Sequence, residues 1–295
     1  MRRTLFFVLL CTALAKTQVF AQSPYSFSEP ELFSHCGGFL EAPAFDDEGN
    51  LWLLDIPADR ILKVTPDGNC AVIGSSDSIP NGLQFNSDGE IILAGSRGIL
   101  AYDPLQNESK VLLDAYEGMP INSANDLVFD SSGGLYFTVT EDSDAFTLTG
   151  KVFYLPPGED AASLVLSGVA FPNGISITPD GASVIISEFA SKRLISIPSQ
   201  IALSSGARTT RIVLAYTSGG IGPDGMTHDE SGRLYVANLG SRGVQVFDPL
   251  GRLLTELQLP EEAGILTSNV VIKQNYLYIT EGEKGDIWRA RINDQ

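Results

Sequence analysis

Short apolar runs and polar turns alternate along this chain in a unit that returns six times. Each unit opens on a brief apolar segment, as in APAF, LQF, DLVF, GISI and GMTH. A polar turn follows (DDEGN, NSDGE, DSSGG, TPDGA, DESGR), then a strongly β-prone run (LWLLD, IILAG, LYFTVT, SVIISE, LYVAN, YLYITE) and a shorter third run (RILKV, GILAY, KVFYL, RLISI, GVQVF, DIWRA). β-Branched and aromatic residues punctuated by Gly, Asp and Asn predict strands. The turns centre on Gly49, Gly89, Gly133, Gly181, Gly232 and, in the sixth unit, near Asn275, so their spacings are 40, 44, 48, 51 and about 43 residues. Irregular periods of this size fit propeller blades that vary by loop insertion. The pattern predicts an all-β, six-bladed β-propeller of four-stranded blades. A β-sandwich with coincidental periodicity is the competing architecture. No long amphipathic helix is visible, and PSQIALSSGART has room for one turn.

Fourth strands are visible in SLVLSG at 163–168 and LLTELQL at 253–259, but the last unit lacks one. The early segment YSFSEPELFSHCG has no partner of its own. It is expected to supply the outer strand of the last blade and so close the ring.

Stepping back eight residues from each turn gives Glu41, Asn81, Asn125, Asn173 and Asp224; the sixth step lands on Thr267, with Asn269 close by. In a propeller the first strand of each blade lines the central channel, so equivalent positions meet near the axis. A ring of carboxylates and amide oxygens without histidine or cysteine suits a hard cation such as calcium. Glu41 and Asp224 would balance its two charges. A second set, Asp55, Gly95, Thr140, Glu188, Asn238 and Glu281, ends the second strands and is expected to converge on the same face. Each member also has a plain reading. Asn or Asp before Gly, as at 81, 173 and 224, is a common turn former. Asp126 reads equally as an anchor behind Asn125 or as a capped turn. His228 reads as a proton-transfer partner or as a satisfied strand histidine. Arg97 and Arg242, in matching GSRG loops, read as anion holders or as solvated loop residues.

Residues 1–21 read as a signal peptide: Arg2 and Arg3, an apolar run from Leu5 to Leu14, and small residues before Gln22. The expected product is a single exported domain, 22–295, secreted or periplasmic. It would carry 16 basic and 36 acidic residues, a net charge of −20. Such a surface disfavours nucleic acid and anionic membranes, which leaves a small molecule as the expected partner of a monomeric protein. Cys36 and Cys70 form one disulfide or stay as two buried thiols. Asn107-Glu108-Ser109 is a glycosylation sequon if the host is eukaryotic.

The segments EAPAFDDEGNLWLLD, NDLVFDSSGGLYFT, FPNGISITPDG and GPDGMTHDESGRLYVAN resemble the regucalcin, gluconolactonase and luciferin-regenerating-enzyme family of calcium-dependent six-bladed propellers. The resemblance runs from Glu41 to Arg291. It implies that Glu41, Asn173 and Asp224 are metal ligands. It implies that Asn125, with Asn81 beside it in the column, contacts substrate or serves as the fourth metal contact. It implies that Asp224 is the catalytic base or nucleophile. Calcium is the expected ion, with zinc, manganese and magnesium also open. Sugar-lactone members carry an arginine two positions before the matching asparagine; here that position is Ser123. The expected activity is metal-dependent hydrolysis of a lactone or related ester. A phosphotriesterase-like hydrolase and a non-catalytic ligand-binding propeller are the alternatives, with non-hydrolytic chemistry a further one.

Overall fold

The computed structural model describes residues 25–294 apart from 205 and 207–209. The expected signal peptide, 1–21, lies outside the described residues.

Six antiparallel sheets follow one another in chain order around an axis. Their innermost strands are Leu40–Phe45, Gly82–Phe85, Ala124–Phe129, Pro172–Ile177, Gly222–His228 and Thr267–Lys273. Each packs against the inner strands before and after it, and the sixth packs against the first. This is the six-bladed propeller that the turn spacing predicts. The turn glycines Gly49, Gly89, Gly133, Gly181 and Gly232 all have φ between +69° and +85°, which a side chain would resist. The repeat of glycine is therefore a repeat of backbone geometry.

Second strands such as Leu51–Asp55, Ile91–Gly95 and Leu135–Val139 are buried at every position. Blades stack face to face, so both sides of these strands meet apolar neighbours and the sequence runs continuously apolar. Outer strands show the opposite pattern. Glu108–Leu113 largely alternates between exposed and partly buried positions.

The closing strand comes from the N-terminal segment, as the sequence predicts, but in two pieces. Tyr25–Phe27 and Glu31–His35 both pair antiparallel with Asp286–Asp294, in the registers Phe27↔Ile292 and Glu31↔Arg289. Pro30 falls in the gap, where a residue without an N–H costs no ladder bond. The buried Tyr25 hydroxyl meets Tyr235 of the fifth blade. Cys36 and Cys70 form a disulfide that ties the closing segment to the outer strand of the first blade, Cys70–Gly74. The only α-helix among the described residues is Gln200–Ser204, a single turn in the stretch where one was expected.

Candidate functional site

A slip in strand register marks the column. In blades one, three, four, five and six the ladder shifts between Glu41 and Ala44, Ala124 and Leu127, Pro172 and Ile175, Pro223 and Met226, and Thr267 and Asn269. Such a bulge leaves a residue unpaired and bends the strand. Backbone amides freed there are satisfied by side chains at the bulges themselves. Ala42 N donates to Glu41 Oε2 (2.9 Å), Leu127 N to Asp126 Oδ1 (2.8 Å) and Val270 N to Asn269 Oδ1 (2.8 Å). Buried hydroxyls pin the column backbone from the neighbouring blade. Thr138 Oγ1 donates to the Asn173 carbonyl and Ser187 Oγ to the Asp224 carbonyl, each at 2.7 Å. The second blade has no bulge, since Gly82–Phe85 pairs in unbroken register with the second strand. Asn81 precedes that strand, and its side chain turns back to the Ile79 carbonyl at 3.4 Å.

Three buried carboxylates stand at the bulges, each within reach of another's charge. Glu41, Asp126 and Asp224 are 7%, 9% and 5% exposed. Asn269 Nδ2 donates to Glu41 Oε2 at 2.9 Å, and the Asn173 side chain hydrogen-bonds Asp224. Asp126 Oδ2 accepts from Ile175 N at 3.0 Å, bracing blade three to blade four just past Asn173. Burial pushes Glu41 up to about 8; hydrogen bonds from Asn269 and Ala42 oppose the rise and the charge of Asp126 adds to it. Asp224 is driven well above the usual carboxylate range, by burial first and then by the charges of Glu41 and Asp126. Burial likewise lifts Asp126 to about 6. Among the described residues no lysine, arginine or histidine forms an ion pair with any of the three. Asn125 is partly buried beside Asp126.

The glycines after Asn81, Asn173 and Asp224 explain these dipeptides better than turn formation does. A Cβ on Gly82 would lie 2.7 Å from the Asn125 carbonyl oxygen, one on Gly174 2.3 Å from that of Asp224, and one on Gly225 1.9 Å from Asn269 Cγ. Inner strands of adjacent blades approach too closely here for any side chain.

The second set of polar residues does not join the column. Asp55 accepts from Phe39 N and Arg60 Nε, Glu188 from Ala170 N and Arg211 Nη2, and Asn238 donates to the Ser218 carbonyl. These side chains fasten the loop that enters each blade to the end of the second strand. His228 lies four residues along its strand from Asp224, about 13 Å away. It bonds Ser176 Oγ through Nδ1 at 2.8 Å, and burial lowers it to about 4 against the opposing charges of Asp229 and Asp180. It is the satisfied strand histidine. Arg97 is exposed, and Ser123 Oγ accepts from Glu141 N at 2.8 Å. Sequence reasoning left Asn269 outside the column and missed Thr138 and Ser187, though a hydroxyl within a fully buried apolar strand was a visible signal.

Among the described residues no three or more His, Cys, Asp or Glu side chains gather as a metal cluster. A donor set of two carboxylates and amide oxygens is a different class, and it fits a hard divalent cation. Buried carboxylates without a cationic partner fit it too, because a bound cation would offset their mutual repulsion.

A family model described as SMP-30/Gluconolactonase/LRE-like region matches residues 39–283. Over 245 residues the chain is 31% identical to a gluconolactonase of Zymomonas mobilis, covering 72% of this chain and 68% of that one. It is 29% identical over 260 residues to the lactonase drp35 of Staphylococcus aureus, covering 82% and 77% respectively. The solved structure of regucalcin from Agrobacterium tumefaciens, named a calcium-binding protein, superposes with a TM-score of 0.74 at 19% identity, covering 89% of this chain and 96% of that one.

Proposed function

The chain belongs to the SMP-30/gluconolactonase/LRE-like family, a family of lactonase-type hydrolases, and on that premise we propose that it is an exported, calcium-dependent hydrolase of a lactone or related ester. The observation that carries this reading is the buried trio Glu41, Asp126 and Asp224, held by Asn269, Ile175 and Asn173 and lacking a cationic partner among the described residues. Glu41, Asn173 and Asp224 would hold the ion, with Asn125 as a fourth contact on ion or substrate. Bound there, calcium would act as a Lewis acid on the ester carbonyl. The calcium-binding description of the regucalcin neighbour supports this choice of ion.

The remaining chemistry falls to the chain. Asp224 takes the proton of the attacking water and returns it to the ring oxygen as the ester bond opens. The Asn173 side chain orients Asp224, and Ser187 fixes its backbone. Asp126 holds the strand that presents Asn173 by its bond to Ile175. Export is supported by the basic and apolar pattern of residues 1–21, and a small-molecule substrate by the net charge of −20 on 22–295.

A lactone panel tests the reading. Turnover is measured on the protein as purified, after chelation, and after return of calcium, manganese, zinc or magnesium. Activity lost on chelation and restored by calcium is expected. Full activity of Asp224→Asn would remove Asp224 from its role, and turnover indifferent to chelation would remove the metal.

A further inference from the structure

The positions that precede the column are largely apolar. The positions two residues before the column are Phe39, Ile79, Ser123, Phe171, Gly222 and Ile265. Four are apolar, one has no side chain, and the one hydroxyl, Ser123 Oγ, already holds the Glu141 amide. Two aromatic rings stand beside the pair that would carry the chemistry. Phe171 and Phe189 have ring centroids 5.5 Å apart, and both are partly exposed. A Cβ on Gly222, two residues before Asp224, would lie 2.8 Å from the Phe189 ring. Phe189 therefore leans from blade four over blade five. It crosses the same seam that the Asn173 side chain crosses to reach Asp224.

Further out the same character continues on braced loops. Phe146 is 94% exposed on the loop 140–149, whose backbone is braced. Asp144 Oδ1 accepts from the amides of Phe146 and Thr147 at 2.7 and 2.6 Å, and Ser143 Oγ accepts from Phe171 N at 3.1 Å. Met119, 71% exposed, pairs with Tyr116 in a hairpin of Ala115–Tyr116 and Met119–Pro120. Tyr116 packs that hairpin onto Phe153 at 4.9 Å. Apolar side chains left in water favour an apolar ligand.

We propose that Phe171 and Phe189, extended outward by Phe146 and Met119, form a subsite for an apolar substituent, so that the substrate is a lactone bearing an alkyl or aryl chain and not a polyhydroxylated one. A polyhydroxylated ring would set hydroxyls against these side chains without partners, a modest penalty, while gaining nothing from their apolar surface. A chain on the ring gains by burial at the mouth while its carbonyl reaches the carboxylates below. The assignment rests on the lactone-hydrolase reading, and its test separates the two.

Steady-state kinetics would compare δ-lactones with alkyl chains of increasing length and glucono-δ-lactone. Up to roughly a threefold gain in kcat/KM per methylene, carried by KM, is expected until the subsite is filled. Phe189→Ser and, independently of folding, the surface variant Phe146→Ser should lower the ratio of long-chain to unsubstituted kcat/KM, the first at least tenfold. A flat series, or preference for glucono-δ-lactone, overturns the subsite. Calorimetry with alkyl δ-lactams, which resist hydrolysis, reads the subsite without turnover. If no lactone turns over but lactam affinity rises with chain length and falls in Phe189→Ser, the hydrolase reading fails and the subsite stands. Absence of chain-dependent lactam binding overturns it, as does binding to zwitterionic vesicles that Phe146→Ser abolishes without any chain-length effect.

Discussion

Asn269 of the last blade donates its side-chain amide to Glu41 of the first, at 2.9 Å across 228 residues of sequence. The bond spans the seam where the ring closes. The orientation of a candidate metal ligand thus depends on the closure, and closure depends on an N-terminal segment paired with Asp286–Asp294. Asn269→Ala should leave Glu41 Oε2 with the Ala42 amide alone. Loss of such a supporting partner typically costs 10- to 100-fold in metal affinity. Calcium titration followed by calorimetry should show a weakening of roughly tenfold or more, with a stability loss of about 1–2 kcal/mol. Unchanged calcium affinity would separate Asn269 from the site.

Stability of the calcium-free protein should fall as pH rises from about 6.5 to 8. Glu41 titrates near 8 in the folded chain against 4.5 for the free group. The folded state therefore binds the extra proton through this window, and stability is lost as that proton leaves. His228, neutral in the folded chain, adds a smaller opposing slope near pH 6.5, where the unfolded imidazole still loses its proton, and nothing above about 7.5. Over this range the loss is on the order of 2 kcal/mol. Calcium should flatten the slope, because the ion offsets the repulsion that raises Glu41. Melting temperatures at several pH values, with calcium and with chelator, decide the matter; equal slopes in the two series would count against Glu41 as a ligand.

The disulfide should matter to closure more than its surface position suggests. Cys36 and Cys70 enclose a span of 34 residues that includes the whole inner and second strands of blade one. Chain-entropy reasoning gives about 4 kcal/mol for a loop of that length. Denaturation of a Cys36→Ser, Cys70→Ser double variant should show a loss of that order, matched by reductant on the parent and absent when reductant is added to the variant.

The fold was legible because five of the six turns between first and second strands carry a glycine of positive φ, which repeats with the blades. Much of the column was legible for the same reason, since the residue eight before the turn falls at the bulge in blades one, three, four and five. Blade six broke the count. Its turn carries no glycine, Gln274 taking φ +55° instead, and the step of eight lands on Thr267 while Asn269 makes the contact with Glu41. The second polar set misled because counting places a residue at a strand end without saying which way its side chain faces. Asp55 and Glu188 turn toward incoming loops and arginines. Nor does a dipeptide show why its glycine is there. Asn173-Gly174 reads as a turn, yet it lies inside the strand Pro172–Ile177, where the neighbouring blade leaves no room for a Cβ.

That crowding can be tested against the seam bond itself. A Cβ on Gly225 would meet the side chain of Asn269, with Cγ at 1.9 Å, whereas one on Gly174 would meet backbone, the Asp224 carbonyl oxygen at 2.3 Å. Gly225→Ala should therefore displace the Asn269 amide from Glu41, costing about 2–3 kcal/mol of stability and weakening calcium binding together. Removing the obstacle should relieve it. In an Asn269→Ala background the further cost of Gly225→Ala should shrink by at least about 1 kcal/mol, a coupling of the size that contacting residues show. Gly174→Ala offers the control, since no side-chain truncation at 269 can move the Asp224 backbone, and its cost should stay the same in both backgrounds. Additive costs for Gly225→Ala and Asn269→Ala would mean that the strand, and not the Asn269 side chain, absorbs the new methyl group, and the link from the bare Gly225 to the orientation of Glu41 would be broken.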